Sequence, residues 1–523
     1  MSDFINDYLK LYTSGFFFAQ VAVIIFLFAV GLVFTWNVLY TPDKEHKIMA
    51  YLLALPAGVG IFVFVGMLVL ITGIPYKAPV LIALCLILVA VTILLRFRTA
   101  GPIKKPFGNA KELLLLVLSV VLVAIISTCG IIKISLSNDS FYYFATYPRN
   151  IVYYGGLRDQ FDYFLTNVGQ GSAVIYSIPY LFGFGEAFGI TEAFNISFIL
   201  FFGYSLGKIT GNRVLAVIAS IVLATSTPFV IISHWSMANV FFMEYFFMTI
   251  VLARYLMGKR TVRRAALLSL FILTTSLLRM EGCVFVLFMI VIISLLDYSC
   301  GEMFIWFGCP PLVIFTWYVY KIYHSYVIDY PYPFLTPLKA AIIIGAYVIL
   351  LLYLGWFRNK ANARFGHVLP YAFLAGMFLV NVALLVINPG RFLVNLKAMM
   401  GNFFGQSGWG ILPHLTIAFA VVIAVSAFIR TRKGHKLVTG KEELNSGMEA
   451  NYVIPENGYY LLVTVGFFLV AMASAWARGD TMYEQVGDSA NRVMLQIVPL
   501  VIFTIVKMLY DVVIKEDERE DGR

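Results

Sequence analysis

The sequence has few charged residues for its length. Asp, Glu, Lys and Arg make up 13% of the 523 positions, whereas hydrophobic residues make up 61% and the mean hydropathy is +0.86. A soluble domain carries about a quarter charged residues, so this composition excludes a soluble globular protein. The apolar runs are about 17 to 25 residues long and lack a strand-like alternation, which favours membrane helices over a barrel. The sequence therefore predicts an all-α, polytopic membrane protein.

Cysteine is also scarce, and several common motifs are missing. The five cysteines lie in or beside apolar runs without CxxC spacing, so neither a metal cluster nor a disulfide framework is indicated. The chain shows no P-loop, no dinucleotide-binding fingerprint and no short repeat. Any indication of function must therefore come from polar and charged residues in the spans and loops.

Basic residues outnumber acidic ones, and the formal net charge is +10. Lys and Arg fall mostly in short hydrophilic connectors, so the excess indicates membrane orientation by the positive-inside rule rather than nucleic-acid binding. Taking each apolar run in turn predicts about 15 spans, with the N-terminus outside and the C-terminus cytoplasmic. We expect a multi-pass protein of the plasma membrane.

The positions of the apolar runs and the charged connectors also divide the chain into three predicted parts. Residues 1–112 are predicted to form a three-span N-terminal appendage with a basic cytoplasmic linker rich in Pro and Gly. Residues 113–515 are the predicted transmembrane core, and residues 516–523 a charged cytoplasmic tail. A large external loop, residues 133–191, follows the first span of the core. Within it, Ala173 to Phe188 is expected to be a helix at the membrane interface rather than a span, because one more crossing there would place the next basic connector outside the cell.

A polar and aromatic stretch of that loop, Ser137 to Gln170, carries the candidate catalytic residues. Asp139 follows the first core span closely, so its carboxylate is expected at the boundary of membrane and water, where it could act as a general base on an acceptor hydroxyl. Asp162 is the second candidate for that role. An ordinary helix-capping Asp fits the spacing of Asp139 equally well. Tyr147 and its neighbouring tyrosines fit either an aromatic belt or a surface for sugar stacking.

Charged residues expected on the same face of the membrane indicate a phosphate site. Guanidinium groups bind phosphate oxygens in a bidentate manner, and the candidates are Arg149, Arg279 and Arg492. The alternative is that such arginines meet lipid headgroups or extend from a helix end to the interface. Glu244 and Glu281 are candidate supporting residues, because a carboxylate in a membrane needs a partner. A purely structural ion pair with Arg279 is the alternative for them.

The pattern resembles the glycosyltransferase C superfamily, polytopic enzymes that use polyprenyl-phosphate-linked sugars. The matching parts are the span Leu113 to Ile132, the Asn138-Asp139 pair, the amphipathic segment Phe141 to Tyr154, and GDSANRVMLQIVPL, in which Arg492 opens a late span. The resemblance implies a GT-C-like fold whose first external loop has interfacial helices and an acidic residue that acts as base or helps to hold a divalent metal. The Asn-Asp pair lacks the second carboxylate of a DE pair, so the use of a divalent cation stays open.

The resemblance implies a glycosyltransferase that moves a sugar from a polyprenyl-phosphate donor to a glycan, lipid or protein acceptor on the external face. Its other expected partners are membrane lipids, with no nucleic acid. Two alternatives stay open. A lipid-linked oligosaccharide flippase or other transporter would also need charges in the membrane, although such folds often show two related halves. An O-antigen-type polymerase would have its decisive arginines in later external loops.

Overall fold

Over the residues that it describes, the computed structural model of the protein is all-α, as predicted. The described residues are 15–39, 44–100, 110–129, 140–158, 169–184, 188–234, 237–257, 262–279, 281–327, 336–404, 409–432, 454–478, 493 and 496–514.

The helices follow one another with short connections. In the first half they are α1 (Gly15–Leu39), α2 (Lys44–Leu52), α3 (Ala54–Thr72), α4 (Ala78–Ala100), α5 (Ala110–Cys129), α6 (Tyr147–Tyr154), α7 (Gln170–Phe182), α8 (Phe188–Thr210), α9 (Arg213–Thr225), α10 (Thr227–His234) and α11 (Ala238–Leu256). In the second half they are α12 (Val262–Leu278), α13 (Gly282–Ile293), α14 (Cys309–Val327), α15 (Pro337–Leu352), α16 (Arg358–Phe365), α17 (Leu369–Ile387), α18 (Pro389–Phe404), α19 (Leu412–Arg432), α20 (Glu456–Arg478) and α21 (Val498–Leu509). Four short π-helical segments adjoin these helices, at Ser140–Thr146, Glu302–Gly308, Tyr353–Phe357 and Tyr510–Ile514.

Eleven of the described helices are long and apolar enough to cross a membrane. This confirms a multi-span membrane protein, whereas the predicted count of about 15 spans is not confirmed. Part of the difference lies in short helices. The apolar run from Val214 to Ser233, long enough to count as one span, is broken at Ser226, because Pro228 in the first turn of α10 lacks the N–H that a continuous helix would use. The 12 residues of α13 extend about 18 Å, less than the apolar thickness of a bilayer.

Two helices of the expected N-terminal appendage, α1 and α3, pack against helices of the body. α3 is almost entirely buried, and the Tyr245 hydroxyl of α11 donates a hydrogen bond to the Pro56 carbonyl oxygen at 2.6 Å. α1 crosses α3 at two glycines. A Cβ at Gly58 would lie 1.8 Å from the carbonyl oxygen of Leu27. The predicted boundary at residue 112 stays a prediction, but α3 is a central helix rather than a peripheral one.

The expected interfacial helix lies inside the protein. It is α7, which begins at Gln170 rather than at Ala173, and its residues from Gln170 to Pro179 are all buried against α3, α6 and α12. Its 13 residues extend about 20 Å, which agrees with the prediction that this segment does not cross the membrane. The position is different from the predicted one because α7 is enclosed by neighbouring helices instead of lying on their surface.

A buried arginine donates hydrogen bonds to the carbonyl groups at the C-terminal end of the short helix α13. Arg358 is 2% exposed and donates to the carbonyl oxygens of Ser294, Leu296 and Tyr298. Asn362, one turn further along α16, donates to the Ser294 oxygen at 2.9 Å. These side chains satisfy carbonyl groups that the end of a helix leaves without a partner.

The crossing of α1 and α3 predicts a strong effect of adding one methyl group. Gly58→Ala would force the two helices apart, so we expect the free energy of unfolding in detergent to fall by about 1–3 kcal/mol. Thermal unfolding followed by tryptophan fluorescence measures this. Gly376→Ala in α17 is the matched control, because nothing lies within 4 Å of its added Cβ. Equal stabilities of the two variants would show that α1 and α3 do not meet at Gly58.

Candidate functional site

The candidate site is built around the N-terminus of α7, at the end of the bundle where α5 ends and α7 begins, here called the loop end. Gly169 precedes α7 and is pressed against the end of α12, since a Cβ there would lie 2.0 Å from the Leu278 carbonyl carbon. Ser172 secures the same contact by donating from its Oγ to the Leu278 carbonyl oxygen at 2.6 Å. Glycine is therefore required at position 169, and the start of α7 lies beside Arg279.

Gln170 joins three elements at this point. Its side-chain Oε1 accepts a hydrogen bond from the Tyr147 hydroxyl of α6 at 2.9 Å, and its backbone N–H donates to the Tyr318 hydroxyl oxygen of α14 at 2.6 Å. All three residues are at most 2% exposed. The Gln170 Nε2 is also buried, and no described residue accepts a hydrogen bond from it. An unused donor inside an apolar body costs free energy, so this atom is a candidate for ligand contact.

Arg279 and Glu281 form a bidentate ion pair next to Gly169. The Arg279 Nε lies 3.2 Å from the Glu281 Oε2, and its Nη2 lies 3.2 Å from Oε1. The two side chains are 16% and 23% exposed, so the pair lies at the rim of the site rather than in its interior. Two of the five guanidinium N–H groups are used in this pair, and the others remain able to bind an anion.

A second polar group lies further along α7. The Tyr176 hydroxyl donates to the Met237 carbonyl oxygen at 3.1 Å, next to the start of α11, and Tyr176 lies within electrostatic range of Glu244. Glu244 is fully buried in α11. Asn239, also in α11, accepts a hydrogen bond at 3.1 Å from Gln496, which is four residues beyond Arg492. α7 therefore connects the Arg279 group to the group around Glu244.

Tyr76, between α3 and α4, contacts both α7 and the segment that follows α6. Its hydroxyl lies 2.7 Å from the Ser177 Oγ of α7, and its backbone N–H donates to the Gly155 carbonyl oxygen at 2.8 Å. Complete burial raises the pKa of the Tyr76 hydroxyl well above its usual value. The hydroxyl therefore stays neutral and acts as a positioning group for α6 and α7.

Of the predicted site residues, the structure brings Tyr147, Arg279 and Glu281 to the start of α7. Arg149 lies on α6 with an exposed side chain. Glu244 belongs to the second group, connected to the first by α7. The remaining predicted residues, Asp139, Asp162 and Arg492, lie outside the described residues. Among the described residues, no group of three or more His, Cys, Asp or Glu side chains is arranged to hold a metal ion.

Sequence reasoning missed Gln170, Ser172 and Tyr318. A signal was present for the first two, because Gly169-Gln170-Gly171-Ser172 is a run of small and polar residues beside an apolar segment, which is typical of close helix packing in membranes. Tyr318 lies within an apolar run and has no such signal. Gln496 and Asn239 pair across a large separation in sequence, which no local pattern predicts.

Comparisons of the chain with models of known protein families, with curated proteins and with solved structures found no match. The fold and site therefore define a class, a polytopic helical membrane protein with a polar site at the loop end of its bundle.

The Tyr147–Gln170 hydrogen bond predicts a coupled effect on stability. Tyr147→Phe leaves both polar atoms of the buried Gln170 amide without a described partner, so we expect a loss of about 1–2 kcal/mol. Adding Gln170→Leu to that variant removes the buried amide and should recover most of the loss, because replacing both partners with apolar groups is nearly neutral. Thermal unfolding of the two single variants and the double variant measures the coupling. Losses that simply add would contradict the pairing.

Proposed function

We propose that the protein is a membrane glycosyltransferase, which moves a sugar from a polyprenyl-phosphate donor to an acceptor hydroxyl. The observation that carries the proposal is that Gly169, which packs against the backbone of Arg279, is followed directly by Gln170 with its buried, unused amide donor, at the end of the loop that contains Asp139. In the proposal this loop lies on the external face of the plasma membrane, with the N-terminus outside and the C-terminus in the cytoplasm.

The phosphate of the donor would bind at Arg279. Glu281 orients the guanidinium through two hydrogen bonds, so little conformational freedom is lost when the remaining N–H groups meet phosphate oxygens. Negative charge on the leaving phosphate grows as the glycosyl bond breaks, and a fixed positive group stabilises that charge more in the transition state than in the ground state. Gln170 would add a neutral donor from its Nε2. Arg149 and Arg492 remain proposed contributors to the same phosphate.

The acceptor would be activated by Asp139, directly before the helical segment that begins at Ser140. Its carboxylate takes the proton of the acceptor hydroxyl while the hydroxyl oxygen forms a bond to the anomeric carbon. The bond from that carbon to the phosphate oxygen breaks, and polyprenyl phosphate leaves with the electron pair. Asp162 is the second candidate for this base.

The lipid tail of the donor would lie along the helix that leads into the loop. α5 exposes an apolar stripe at helical spacing that contains Leu114, Leu118, Leu122 and Ile126. Because α5 ends at the loop end, a tail on this stripe places its phosphate at the same depth as the candidate site.

Transfer from a synthetic polyprenyl-phosphate sugar by the purified protein tests the proposal. We expect Asp139→Asn to lower the transfer rate about 100-fold or more, because a general base contributes at least that factor. Arg279→Ala should lower it about 100-fold through lost stabilisation of the leaving phosphate. Arg364→Ala is the matched control, since Arg364 is exposed and lies on α16 beside the Arg358 contacts.

The wild-type protein must first show transfer in this assay. Full transfer by Asp139→Asn would remove Asp139 as the base. Movement of the lipid-linked sugar across a bilayer without transfer would contradict the enzyme and favour a flippase.

A further inference from the structure

α18 has two polar residues, Arg391 and Asn395, on its inward face. Arg391, Asn395, Met399 and Phe403 recur every four residues on the face that packs towards α20, where Phe403 meets Phe468. The opposite face is exposed and mostly apolar: Leu393, Leu396 and Met400 are 54%, 37% and 47% exposed, and Lys397 is exposed among them. In water this arrangement would be unfavourable, but in a bilayer the apolar face meets lipid and the inward polar face marks a functional position.

Two polar groups at this interface lack partners. Asn395 is 1% exposed, and neither its Nδ2 nor its Oδ1 has a hydrogen-bond partner among the described residues. The Trp476 indole Nε1 of α20 is likewise buried without an acceptor in the described part of the chain. A buried amide with an unused donor and an unused acceptor is costly in an apolar body, whereas a hydroxyl group would satisfy both kinds of atom.

Positive charge adjoins these groups. The Arg391 guanidinium carbon lies 4.7 Å from the centre of the Trp476 ring, and the Lys339 Nζ donates to the Ala477 carbonyl oxygen at 2.9 Å. Lys339 and Arg391 are within electrostatic range of each other. Lys339 opens α15, two turns before Tyr347, whose hydroxyl donates to the Cys283 carbonyl oxygen beside Glu281. The two cations therefore lie at the loop end, where headgroups are expected.

We propose that α18 and α20 form a binding site for an anionic phospholipid with a hydroxyl-bearing headgroup, of which phosphatidylglycerol is the simplest probe. The lipid phosphate binds Arg391 and Lys339, and the headgroup hydroxyls bind Asn395 and Trp476. Asn395 lies one turn beyond Arg391, about 6 Å along the helix, a separation that a glycerol-sized headgroup spans. The acyl chains lie on the exposed apolar face of α18. This site uses other helices than the Arg279 site and does not depend on the proposed transferase activity.

Thermal unfolding of the full-length protein in neutral detergent, titrated with phosphatidylglycerol, tests the site. We expect a saturable rise in the unfolding temperature of the wild-type protein with phosphatidylglycerol, no such rise with phosphatidylcholine, and a rise at about 5- to 10-fold higher concentration with phosphatidic acid, which has the charge without the hydroxyls. Asn395→Leu removes the unused amide, so its unfolding temperature without lipid should be unchanged or higher. Its half-saturating concentration of phosphatidylglycerol should rise about 5- to 10-fold.

Trp476→Phe keeps the ring beneath Arg391 but removes the N–H, and should weaken phosphatidylglycerol binding in the same direction. Arg364→Gln removes an exposed cation of α16, which is not part of the proposed site, and should leave the titration unchanged. The proposal is overturned if phosphatidylcholine stabilises equally well, if phosphatidic acid matches phosphatidylglycerol, or if Asn395→Leu binds as the wild type does. A fall in the lipid-free unfolding temperature of Asn395→Leu would also overturn it, because the amide would then have a structural partner.

Discussion

A helix that begins inside an apolar body must have its first N–H groups satisfied within the protein, and α7 depends on this constraint. The Gln170 N–H donates to the Tyr318 oxygen, and those of Ser172 and Ala173 donate to the Gly169 carbonyl oxygen. These bonds hold only while Gly169 stays close against the end of α12, where any side chain would collide with Leu278. The site follows from the same requirement, because Gly169, whose carbonyl oxygen accepts the first N–H groups of α7, packs against the backbone of Arg279.

The same physical problem is solved differently at the end of α13. That helix is too short to span, and its final carbonyl groups are satisfied by Arg358 and Asn362 from α16. At α18 the inward polar groups Asn395 and Trp476 have no such protein partner in the described part of the chain, which is why they indicate a ligand. The polar groups inside this otherwise apolar bundle thus lie at the ends of the short helices α7 and α13 and on the inward face of α18.

Hydropathy and the basic connectors were enough to predict the all-α membrane class, and the non-spanning character of the segment that became α7. They did not establish the number of spans, because an apolar run such as Gly282–Ile293 can form a buried helix that is too short to cross lipid. The sequence also did not show which helices lie at the centre of the bundle. α3 is as apolar as its neighbours, and only its burial and its hydrogen bond from Tyr245 show that it is central. Arg279 and Tyr147 were predictable from residue type, whereas Gln170 and Tyr318 required the three-dimensional contacts that join α6, α7 and α14.

The central claim is that a polyprenyl phosphate binds at the start of α7. Photo-crosslinking of the wild-type protein with polyprenyl phosphate that carries a diazirine next to the phosphate, followed by peptide mass spectrometry, tests it most directly. If the phosphate binds at the start of α7, we expect labelled peptides from residues 140–184 or 262–281, with labelling reduced in Arg279→Ala. Labelling confined to α18 and α20, or labelling of residues 140–184 that is unchanged in Arg279→Ala, would contradict it.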